Sequence, residues 1–105
     1  MLRDEETYFL RLMQNIDLET FNEYFTLKET TENEGGSIEL HYDVHYGNDS
    51  GFLMINYQPT DNELLAAEMD VGFPTMLGLN RSPLELRILA EHVLALRAAA
   101  ENDEQ

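Results

Sequence analysis

The stretch Ser37 to Tyr46, SIELHYDVHY, alternates with a period of two. Ile38, Leu40, Tyr42, Val44 and Tyr46 fall on one parity. Glu39, His41, Asp43 and His45 fall on the other. A helix would scatter the five apolar residues around its circumference, whereas a strand gathers them on one face. The stretch is therefore a half-buried strand. A lone strand leaves its backbone unpaired and its apolar face wet, so this one needs neighbouring strands and a covering layer.

The flanking sequence supplies both. TTENEGGS precedes the strand and GNDSG follows it, and each is turn chemistry. FLMINYQ then reads as a short strand with apolar groups on both parities. PTDN is a second turn, with Pro59 suited to its second position. In ELLAAEMDVGF, Leu65, Ala67, Met69, Val71 and Phe73 alternate with Leu64, Ala66, Glu68 and Asp70. The Glu, Leu and Ala content favours a helix. The alternation favours a strand, and directly after a tight turn the alternation decides. Short connections make these strands antiparallel neighbours.

Helical spacing marks the two ends of the chain. In ETYFLRLMQNI the residues Phe9, Leu12, Met13 and Ile16 predict a helix over roughly residues 4–15, with Asp4, Glu5 and Glu6 at its positive end. DLETFNEYF reads as a second short helix capped by Asp17, or as the lead into a strand near Tyr24–Glu29. SPLELRILAEHVLALRAAAE opens with Ser82 as cap, Pro83 in the first turn and Glu85 completing a capping box. Its apolar residues make two stripes: Leu86, Leu89, Val93, Leu96 and Ala100, and separately Leu84, Ile88 and Ala95. ENDEQ, about residues 101–105, is an acidic tail. The expected architecture is α+β, in one domain over residues 1–105. It is an antiparallel meander of three to four strands packed with an N-terminal and a long C-terminal helix.

Charge narrows the function. The chain holds 21 Asp and Glu against 6 Lys and Arg, a formal net charge of −15. Such a field repels nucleic-acid phosphates and anionic membranes and attracts basic protein surfaces. Cysteine is absent, which excludes disulfides, thiolate metal sites and a Cys nucleophile. The start MLRDEETYFL carries three acids where an export signal has basic then apolar residues, and no wholly apolar run is longer than that of Leu64–Ala67. A cytoplasmic location is expected. No nucleophile elbow and no Gly-rich phosphate loop occurs, so the chain reads as a non-enzymatic protein without a cofactor.

The polar face of the sheet is the candidate site. It carries Glu39, His41, Asp43 and His45, with Glu68 and Asp70. If Leu53, Ile55 and Tyr57 point into the core, Phe52 and Met54 emerge among these acids. An apolar island inside a charged rim has the composition of a recognition surface, unless the N-terminal helix covers it. Partner-binding residues are expected at Glu39, Asp43, Phe52, Met54, Glu68 and Asp70. Met76 and Leu77, in the apolar loop FPTMLGLNR, form a separate anchor. His41, Asp43 and His45 also offer a metal-binding alternative. Residues two apart on a strand are roughly 6.6–6.8 Å apart, so His41 and His45 are about 13 Å apart and further ligands would be needed.

The element order, the acidity, and ELLAAEMDVGF followed by SPLELRILAEHVLALRAAA resemble the type III secretion chaperone-like proteins over roughly residues 36–101. That resemblance implies a cytoplasmic carrier, usually dimeric, that binds partner segments along its sheet and helices. In size and charge the chain is equally similar to small acidic inhibitors, nuclease immunity proteins and phage DNA mimics. That similarity implies an inhibitor covering a basic, often nucleic-acid-binding, partner.

Overall fold

The computed structural model describes residues 11–46, 49–71 and 84–103. The N-terminal helix expected over residues 4–15 lies mostly outside them, and only Arg11–Met13 are seen as helical. The loop anchors Met76 and Leu77 and the predicted cap Ser82 also lie outside the described residues.

Helix α1 spans Leu18–Tyr24, and strand β1 follows at once over Phe25–Glu32. Both readings of DLETFNEYF therefore hold in succession. Asp17 has extended backbone, and its carboxylate accepts the Thr20 amide at 2.8 Å, satisfying one orphan donor of the first turn. That bond from the Thr20 amide, with a further one from its side chain, holds the Asp17 carboxyl below its ordinary value. A depressed folded pKa gives stability that is present above the unfolded value, near 3.9, and lost as pH falls through the folded value. Asp17→Ala is thus expected to lower the melting temperature at neutral pH. The gap to the wild type should close in acid below about pH 3.9. A gap that persists unchanged in thermal melts across that range would rule out the cap.

The remaining strands are β2 (Ile38–Tyr46), β3 (Asp49–Gln58) and β4 (Glu63–Val71), and helix α2 spans Leu84–Asp103. The four strands form one antiparallel sheet in the order β1-β2-β3-β4. In the β1–β2 turn, Gly35 and Gly36 take φ of 89° and 92°, a region that side chains disfavour. Asn33 closes that turn through its amide to the Ser37 carbonyl at 2.8 Å. In the β3–β4 turn, Asn62 is left-handed at φ 60°, and Asp61 accepts the Glu63 amide at 3.2 Å.

One face of the sheet is the core. Phe25, Leu40, Tyr42, Val44, Leu53, Ile55, Ala67 and Met69 are buried there against Leu86, Leu89, Ala90, Val93 and Leu94 of α2. Met13 is buried in the same cluster and Ile16 packs on it. His92 of α2 donates from Nε2 to the Ile16 carbonyl at 2.6 Å, tying the N-terminal segment to α2. Tyr42 is buried with its hydroxyl accepting from Arg97 Nη1 at 3.2 Å. Burial pushes its phenol up, and the Arg97 charge partly offsets this.

Two bulges depart from simple alternation. In β1 the register shifts between Leu27 and Glu29, so Lys28 has no opposite residue. Asn56 faces Ala66 and Tyr57 faces Leu64, which leaves Leu65 unpaired. Leu65, which alternation groups with Ala67 and Met69 on the core face, is instead 49% exposed, and Leu64 packs against the core in its place. The second stripe of α2 also faces out, with Leu84, Ile88 and Ala95 exposed.

Candidate functional site

The hairpin registers decide which outward residues meet. Asp43 lies opposite Phe52, and Phe52 lies opposite Asp70. Two residues along, His41 lies opposite Met54, which lies opposite Glu68. Glu39 faces Asn56 in the third row, and Asn56 faces Ala66. Opposed residues share a face and adjacent strands are about 4.8 Å apart. Phe52 and Met54, the outward apolar side chains of β3, therefore stand between polar groups of β2 and β4. The Asp43 and Asp70 backbones are about 10 Å apart across Phe52, and rows repeat about every 6.8 Å along the strands.

Phe52 is 38% exposed and Met54 is half-buried, so the island is wet. Among the described residues no helix lies over this face, because Met13, Ile16 and α2 all pack on the opposite one.

The polar contacts within the face are few. Asp43 Oδ2 lies 3.6 Å from Lys28 Nζ. The β1 bulge positions that lysine, and both groups are exposed, so the pair adds little stability. His41 Nε2 lies 3.2 Å from Glu39 Oε1, and Glu39 Oε2 accepts from Asn33 Nδ2 at 3.1 Å. Glu29, opposite His41, adds a carboxylate that the alternation of β2 alone did not disclose. Asn56 Oδ1 is buried on this sheet and is the one such side-chain atom without a hydrogen-bond partner among the described residues.

The histidine row does not converge. His41 engages Glu39, Asp43 engages Lys28, and His45 lies exposed opposite Ser50. No group of three or more His, Asp or Glu side chains is placed to hold a metal ion among the described residues. His92, the remaining histidine, is bonded to the Ile16 carbonyl beneath the opposite face. No described helix is long and apolar enough to cross a membrane.

Comparison with family models, with curated proteins and with solved structures finds no match to this chain.

Proposed function

We propose that this chain is a non-enzymatic binding protein whose outer sheet face docks on, and occludes, a basic surface of a protein partner. The row Asp43–Phe52–Asp70 supports this reading most directly, because it sets an exposed aromatic ring between two carboxylates. One row along, Met54 lies between His41 and the Glu68 carboxylate. Aromatic and Met side chains supply the desolvated centre of a protein interface, and charges at the rim steer encounter and set register. A formal charge of −15 raises the encounter rate with a basic partner and repels free nucleic acid. A partner that itself binds nucleic acid has the basic surface this face would cover.

The test is the binding kinetics of variants against the partner recovered from the native host. Charge reversal of Asp43 and Asp70 together is expected to slow association by roughly tenfold or more and to flatten its salt dependence. Met54→Ala should speed dissociation about 5- to 30-fold, the equivalent of about 1–2 kcal/mol. His41→Ala with His45→Ala should change neither rate by much. Affinity indifferent to salt in the wild type would point to an apolar carrier groove and sink the electrostatic reading. Loss of binding in the histidine variant alone, reproduced by a chelator, would do the same in favour of a metal.

A further inference from the structure

At the end of the sheet, away from the outer face, Arg97 of α2 occupies an unusual position for so acidic a chain. It is half-buried, and it donates to the Tyr42 hydroxyl at 3.2 Å. No carboxylate lies within ion-pair distance of it among the described residues. A guanidinium carries five N–H donors, so most of them remain uncommitted. Glu101 sits one turn further along α2 and is exposed. An acid four residues C-terminal to a base is the weaker order for a helical pair. Arg97 turns to Tyr42 instead, and Glu101 is left without a partner among the described residues.

Two cavities border this pair. One, of about 220 Å³, is lined by Ile38, Tyr57, Pro59, Leu94, Arg97 and Glu101, among others. The second, also about 220 Å³, lies between Leu18, Arg97, Ala100 and Glu101. At about 30 Å³ per water, the first has room for about seven waters, the size of a small organic molecule. Ile38, Pro59, Leu94 and Ala98 give it apolar wall beside the charged groups of Arg97 and Glu101. The hydroxyl of Tyr57 has no hydrogen-bond partner among the described residues.

We propose that this cavity binds a small apolar α-amino acid as its zwitterion, with the carboxylate on Arg97, the ammonium on Glu101 and the side chain against Ile38 and Leu94. Charge selects the ligand. A simple anion would be repelled by the net −15 of the chain, and a simple cation would meet the Arg97 guanidinium. A zwitterion is neutral overall, so it escapes the long-range repulsion and still matches the two separated charges. Bidentate contact between guanidinium and carboxylate gives the orientation, and the Tyr57 hydroxyl supplies a further bond. The site is independent of the outer face and stands whether or not that face docks a partner.

The experiment is a titration of the full-length ¹⁵N-labelled chain with L-leucine, followed through amide chemical shifts. L-leucinamide, which lacks the carboxylate, and N-acetyl-L-leucine, which lacks the ammonium, are the controls. Leucine is expected to give saturable shifts confined to Ile38 and residues 57–62 and 94–101, and each control should bind roughly tenfold or more weaker. Arg97→Gln and Glu101→Gln should each weaken leucine binding by a similar factor. Arg97 also supports Tyr42, so if Arg97→Gln fails to fold, the exposed Glu101→Gln carries the test alone, with an unchanged melting curve as its check. No saturation up to the solubility of leucine overturns the proposal. So does leucinamide binding as well as leucine, or Glu101→Gln binding leucine as the wild type does.

Discussion

Phe21→Ala is expected to destabilise the fold by about 3–5 kcal/mol. Phe21 is 2% exposed although it sits in a helix of only seven residues. Its ring stacks on Phe25 at 4.4 Å and 11°, and meets Tyr42 edge-on at 5.4 Å and 83°. Phe25 in turn meets Tyr42 edge-on at 6.4 Å. The trio joins the middle of α1, the first residue of β1 and the middle of β2, so one truncation loosens all three. A seven-residue helix has little stability of its own, and its tertiary contacts hold it. Against a typical total of about 5–15 kcal/mol, the loss is a large fraction. Phe21→Leu should recover part of it by keeping apolar volume without the stacked ring. Urea midpoints of the three proteins measure this. A cost for Phe21→Ala below about 1 kcal/mol would mean the rings do not pack as described.

The sheet was legible in the sequence because its outer face is polar. β2 shows strict alternation, and short turns on either side of it oblige β1 and β3 to pair with it. The meander order then brings Phe52 between Asp43 and Asp70, since every link is a tight hairpin. What alternation cannot show is a bulge. Lys28 and Leu65 each take one extra residue into a strand, and beyond that point parity reverses. Alternation therefore puts Leu65 on the wrong face and leaves Glu29 off the outer polar face, where it stands opposite His41. Contacts between residues far apart in sequence left no local signal either. The bond of Arg97 to Tyr42 spans 55 residues and that of His92 to Ile16 spans 76. Periodicity describes one element at a time and is silent on such pairs.

The long helix poses the same limit in another form, and it yields the second large prediction. Leucine, isoleucine and alanine occur around most of α2, so the sequence offers two apolar stripes and does not say which one meets the sheet. The structure buries Leu86, Leu89, Ala90, Val93 and Leu94, while Ile88 is 39% exposed. Ile88 and Leu89 are adjacent in sequence but point about 100° apart on a helix of 3.6 residues per turn. Leu89→Ala is expected to cost about 2–5 kcal/mol, because it leaves a cavity at the contact between helix and sheet. Ile88→Ala should cost less than about 1 kcal/mol, since it removes partly wet surface and alanine is the better helix former. Alanine leaves the helix intact in both variants, so the difference reports only which way α2 is turned. Urea denaturation of the two variants provides the comparison. Equal costs, or a larger one for Ile88→Ala, would rotate α2 and bring its other stripe onto the sheet. The charged flank of the helix would turn with it. Arg97 would then leave Tyr42, and the separated Arg97–Glu101 pair at the end of the sheet would no longer border the cavity there.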